Sequence, residues 1–104
     1  MKFRVPSAVK KAALEGLRLV EQGHAGDGLT LSAIQRARML AQGKSLELTG
    51  DYSVKRMRDW FARHAVDYRP GWEDPPTPGY VAWMIWGGDP AKQFVDRMVE
   101  RYLR

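Results

Sequence analysis

Only a few residues in this chain have types and spacings that can do chemistry, and the histidines come first. There are two. His24 lies in a glycine-rich stretch, and His64 precedes Asp67 by three residues, the spacing of an acid–base pair on one helical turn. Neither histidine belongs to a His-x-x-x-His pair or another metal spacing, and there is no cysteine. Zinc–thiolate sites, disulfides and cysteine nucleophiles are therefore excluded. No motif marks a Ser or Thr nucleophile. Glu73 and Asp74 are adjacent carboxylates, but they sit among prolines. The glycines at 23, 26 and 28 lack the lysine and the preceding strand of a phosphate loop. The expectation is a non-enzymatic protein with no catalytic residues, no metal and no cofactor. A histidine near a helix C-terminus is favoured electrostatically, so His64 reads first as structural.

Cations carry the stronger signal. The net charge is +5, but residues 1–65 hold 12 Lys+Arg against 6 Asp+Glu, and residues 66–104 hold 5 against 6. A basic body with a near-neutral tail favours an anionic partner, nucleic acid first. Lys55 and Arg58 are neighbours at i, i+3. Arg56 and Arg63, seven apart, share a face with Asp59 between them. Arg36 and Arg38 add charge from the preceding helix. Arg36, Arg38, Lys55, Arg56 and Arg58 are thus the candidate phosphate-contacting set. The competing reading is a solvated face in which Asp59 pairs with Arg56 or Arg63. The roughly ten residues separating the two helices exceed the three or four of a helix-turn-helix turn.

Four tryptophans complete the inventory. Trp83 and Trp86 lie three apart on an all-apolar helix and read as core. Trp60, at a helix edge, and Trp72, in a loop, are the candidate partner-binding aromatics, able to stack a base or anchor a protein. The alternative role for both is holding that loop against the body.

These residues need positioning elements, and the periodicity supplies helices. The first should begin around Pro6-Ser7 and stop at Gly23, with Val9, Ala13, Leu17 and Val20 as its stripe. Thr30 caps a second, whose inward face is Leu31, Ile34, Ala37, Leu40 and Ala41. Gly43 closes that helix, and Gln35, Arg36, Arg38 and Gln42 look outward. Lys44 to Asp51 is a loop in which Leu46 and Leu48 permit a brief extended piece but not a sheet. Ser53 caps a third helix with Val54, Met57, Phe61 and Ala65 inward. Residues 66–77 contain three prolines and a glycine, which forbids regular structure; Tyr68 and Trp72 can pack that loop down. Thr77-Pro78 opens a buried fourth helix ending at Gly87-Gly88. Asp89-Pro90 starts a fifth with Phe94, Val95, Met98, Tyr102 and Leu103 inward.

The fold expected is all-α: a compact bundle of about five helices with a long Pro-rich loop packed on it, residues 1–104 forming one domain. No apolar run approaches the roughly 18 residues of a membrane span. Met1 to Pro6 show no apolar h-region, so no secretory leader is expected and the location reads as cytoplasmic.

The block Arg56-Met57-Arg58-x-x-Phe61-Ala62-Arg63-His64-x-Val66-Asp67, followed by Gly71-Trp72 and then Pro78-Gly79-x-x-Ala82-Trp83-x-x-Trp86-Gly87-Gly88-Asp89, resembles a small domain of tailed-phage and prophage proteins. The resemblance runs from about Val5 to Phe94. Phe94 departs from it, standing where a second large aromatic is expected. That domain occurs alone or fused to larger phage proteins, head-associated ones included. The resemblance implies a phage origin and an all-helical fold, and it gives no catalytic residues to carry over. It also suggests a buried polar link in which Asp67 or Asp89 pairs Arg63 and ties the third helix to the Gly87-Gly88-Asp89 turn. The resulting expectation is a phage-encoded module in the host cytoplasm, contacting nucleic acid or a host nucleoprotein complex. An anti-defence role falls within it. The alternative is a virion or head-assembly module contacting phage or host protein.

Overall fold

The computed structural model describes residues 1–103, and it is an all-helical bundle. In chain order these residues form β1 (Lys2–Phe3), α1 (Ser7–Glu21), α2 (Leu31–Ala41), β2 (Leu46–Glu47), α3 (Val54–His64), a 3-10 turn (Ala65–Asp67), α4 (Pro78–Ile85) and α5 (Gly88–Tyr102). Among the described residues no helix is long and apolar enough to cross a membrane.

The helix starts follow from their caps. Thr30 Oγ1 accepts from the Ala33 amide at 3.2 Å, Ser53 Oγ from the Arg56 amide at 3.0 Å, and Thr77 Oγ1 from the Tyr80 amide at 3.2 Å. Each satisfies an amide that the first helical turn leaves without a carbonyl. Ser53 is itself fully buried and donates to the Gly50 carbonyl at 2.6 Å, which fixes the loop before α3. The fifth helix starts differently from expectation. Asp89 does not cap it; the chain reverses at Gly87, whose φ of 104° lies in the left-handed region that favours glycine.

Packing places α1 against α2, α4 and α5, and α3 against α5. At Gly16 the backbones of α1 and α4 nearly touch: a Cβ there would lie 2.6 Å from the Ile85 nitrogen. The core joins Val9, Ala13, Leu40, Val54, Met57, Phe61, Val81, Ile85 and Val95. Leu31, expected inward, is 71% exposed, because the buried arc of α2 is instead Ala33, Arg36, Ala37 and Leu40.

A small sheet corrects the expectation of none. Lys2 pairs with Glu47 and Phe3 with Leu46 in an antiparallel ladder. Two residues of β1 are too few to leave a period-two signal. Leu46 is fully buried there, and the Phe3 ring meets Tyr102 edge-on at 5.3 Å, clipping the chain's start to the end of α5.

Candidate nucleic-acid interface

The site is built on α3. At 3.6 residues per turn, Val54, Met57, Trp60 and Phe61 fall on one arc and are buried. The opposite arc holds Lys55, Arg56, Arg58, Asp59, Ala62 and Arg63. All are exposed except Asp59, which is half-buried. Four cations and one carboxylate therefore share the solvent face. The first turn contains no acid, so Lys55 and Arg56 stand at the positive end of the helix dipole. Cations there oppose the dipole and lower helix stability. Such a placement conflicts with the local requirement of the fold, which is typical of a surface kept for another purpose.

Asp59 partners differ from those expected. Lys55 Nζ lies 2.6 Å from Asp59 Oδ2, and Arg58 Nη1 lies 3.4 Å from Oδ1. The hydrogen bond from Lys55 holds the Asp59 carboxyl below its ordinary value, against a smaller opposing effect of burial. Arg56 and Arg63 have no ion-pair partner among the described residues. Arg63 is thus the base that the candidate set omitted. Its seven-residue spacing from Arg56 was the available signal.

The second helix divides. Arg38 is exposed on α2. Arg36, expected on the surface, is only 9% exposed. Its guanidinium carbon sits 4.2 Å from the centroid of a Trp86 ring, and Nη2 donates to the Asp51 carbonyl at 3.0 Å, while Nε has no partner. Burial pushes its pKa down, and neighbouring Arg56 adds to that. The physical reason for the inward turn is the flat π face of Trp86, which accepts a weakly hydrated guanidinium as it would not an ammonium. Arg36 still borders a hollow of about 470 Å³ with Arg56, Gln35, Ser32 and Asp51. Two guanidiniums thus face one recess beside a single acid.

Both candidate partner-binding aromatics are buried. Trp60, 8% exposed, stacks on Trp86 at 4.7 Å and 10°, and on His64 at 4.3 Å and 27°. Arg36, Trp86, Trp60 and His64 thus form a continuous stack from α2 through the α4 terminus to α3. Trp72, 7% exposed, packs against Tyr68, Tyr80 and Trp83 and pins the Pro-rich loop to α4. The expected polar link is absent among the described residues. Asp89 Oδ1 accepts from Trp83 Nε1 at 2.8 Å, and Asp67 Oδ2 lies 3.2 Å from His64 Nδ1. Arg63, exposed, joins neither. The His64–Asp67 pair is itself on the surface, at the end of α3. Among the described residues no three His, Asp or Glu side chains converge as a metal site.

Compared with models of known protein families, with curated proteins and with solved structures, the chain has no match.

Proposed function

We propose that this chain is a non-enzymatic, phage-encoded binding module that contacts nucleic acid, or a nucleic-acid-containing complex, through the solvent face of α3. The observation that carries the reading is the exposure of Lys55, Arg56, Arg58 and Arg63 on one arc with Asp59 as the only acid. Among the described residues Arg56 and Arg63 have no ion-pair partner and are its leading contacts; Lys55 and Arg58 join them while keeping Asp59, so the face presents a net of three charges to phosphate. Arg36 contributes by backing Arg56 rather than by direct contact, and Arg38 is exposed on α2 outside their recess. Phosphate oxygens suit such a surface because guanidinium forks bind them two at a time. The phage origin, and a place in the host cytoplasm, follow from the resemblance of the Arg56–Asp67 and Pro78–Asp89 blocks.

The test is fluorescence anisotropy of labelled duplex DNA, single-stranded DNA and RNA at about 50 and 200 mM salt. Binding that weakens with salt and disappears in Arg56→Glu/Arg63→Glu is the expected result. Absence of binding to all three at low salt refutes the reading. A second reading, assembly with phage or host protein, draws on Leu31 and Val66, which are 71% and 74% exposed. Co-purification of capsid proteins, lost on Leu31→Ser, would favour it.

A further inference from the structure

The Pro-rich loop and α4, together with α1 and the start of α5, enclose a cleft of about 500 Å³ unrelated to the α3 face. Four rings line it: Tyr68, Trp72, Tyr80 and Trp83. Trp72 is central, with centroids at 4.9 Å from Tyr68, 5.8 Å from Tyr80 and 5.7 Å from Trp83. Two carboxylates, Glu73 and Asp89, border the same space. Neither has an ion-pair partner among the described residues, although the chain as a whole carries +5. Asp89 Oδ1 accepts a hydrogen bond from Trp83 Nε1–H, which keeps the carboxylate at the wall and uses the indole's only donor. Of the three charged side chains lining the cleft, two are these acids and one is a base, Lys11. Burial raises the Tyr80 phenol pKa, and Glu15, Glu73 and Asp89 raise it further.

Aromatic faces with unpaired carboxylates attract cations and repel phosphate. We propose that this cleft binds an organic cation, a methylated or quaternary ammonium group, held by the rings and neutralised by Glu73 and Asp89. Methylation matters for a physical reason. A primary ammonium is strongly hydrated and needs three acceptors, whereas a methylated one gives up less hydration and presents apolar surface to the rings. The group can belong to a free small cation or to a methylated lysine of a polypeptide. Lys11 supplies a second, opposite test of sign. It borders the cleft, is exposed and has no ion-pair partner among the described residues, so its charge opposes a bound cation.

The experiment follows tryptophan fluorescence, since Trp72 and Trp83 line the cleft. The full chain is titrated with choline, with its neutral isostere 3,3-dimethyl-1-butanol, and with a peptide carrying trimethyl-lysine. Choline and the peptide should both shift the emission, and the neutral alcohol should not. Tighter binding of the peptide assigns a polypeptide source, and tighter binding of choline a free one. Glu73→Gln and Tyr68→Leu should each weaken binding about fivefold or more, and Lys11→Gln should tighten it. Both Tyr68 and Glu73 are exposed, so these variants keep the core intact, which circular dichroism verifies. Absence of cation binding at ~10 mM overturns the proposal, as does equal binding of the neutral alcohol. Tightening by Glu73→Gln with weakening by Lys11→Gln overturns it also, since that pattern marks an anion site. The outcome is independent of the α3 reading, which Arg56→Glu/Arg63→Glu tests without touching the cleft.

Discussion

Replacing Asp59 by Asn asks whether the α3 face meets phosphates. Asp59 is the single acid among four bases on that arc, and it engages both Lys55 and Arg58. With Asp59 ionised the face carries a net of +3 (four bases less one acid). Neutralising it gives +4. For B-DNA each neutralised phosphate contributes about −0.9 to the slope of log affinity against log salt, so the slope should steepen from about −2.7 to about −3.6. Between 50 and 200 mM salt the wild-type chain would lose roughly 40-fold in affinity and the variant roughly 150-fold. The same arithmetic makes Asp59→Asn tighter by about fourfold at 200 mM and up to about fifteenfold at 50 mM.

Stability should hardly change. The i,i+4 pair with Lys55 is surface-exposed, and such pairs contribute about 0.3–0.5 kcal/mol. The matching control is Glu15→Gln on α1, which removes one carboxylate paired to Arg18 and so makes the same change in net charge elsewhere. Anisotropy titrations at four salt concentrations give both slope and affinity. If Asp59→Asn and Glu15→Gln act alike, the effect belongs to global charge and the α3 face is not the binding surface. If Asp59→Asn tightens binding with no change in slope, the counterion account itself fails.

Two further predictions concern the fold that presents these surfaces. Gly16→Ala would add a Cβ 2.6 Å from the Ile85 nitrogen and 2.8 Å from the Met84 carbonyl carbon, both backbone atoms. Overpacking of this kind costs about 1–3 kcal/mol and outweighs the helix propensity gained by Ala, about 1 kcal/mol, so thermal unfolding should shift down. Gly79→Ala meets only ordinary contacts, the nearest at 3.7 Å to Trp72, so its midpoint should hold or rise; a rise for Gly16→Ala would contradict the close approach of α1 and α4. Tyr52 should contribute to alkaline stability. Burial pushes its phenol up to about 12, against a smaller downward pull from Arg36, and its hydroxyl donates to the Lys44 carbonyl at 2.7 Å. A phenol that ionises more readily unfolded than folded stabilises fully below pH ~10, and that contribution falls away as pH rises from about 10 to about 12. Denaturant midpoints measured across that window should fall less steeply in Tyr52→Phe; identical slopes would refute the assignment. The raised phenol of Tyr80 leaves a residual decline in both.

What the sequence disclosed about this molecule divides along a physical line. Helix starts were legible because capping is local: Thr30, Ser53 and Thr77 act within three residues of themselves. Val54, Met57 and Phe61 of the α3 stripe were legible for the same reason, since periodicity survives without knowledge of partners, whereas Ala65, expected inward with them, is exposed in the 3-10 turn past the helix end. The fate of Arg36 was not. Its position on α2 depends on Trp86, fifty residues away, offering a ring face at 4.2 Å, and nothing in the Arg36 neighbourhood announces that ring. Leu31 shows the reverse error: an apolar residue in register with the stripe is left outside because Arg36 occupies part of the buried arc. The same long-range dependence decides the two candidate surfaces. The four exposed bases of α3 and the intervening Asp59 could be named from spacing, whereas the bases that Asp59 engages, Lys55 and Arg58 rather than Arg56 or Arg63, emerge only in the folded chain. The aromatic cleft exists only because the loop carrying Tyr68, Trp72 and Glu73 folds back onto Tyr80 and Trp83, bringing two carboxylates together from positions sixteen residues apart. A basic helix can be read from one segment of chain. An acidic aromatic cleft is a property of the closed fold, which is why the two surfaces of opposite sign differed so sharply in how much of them the sequence revealed.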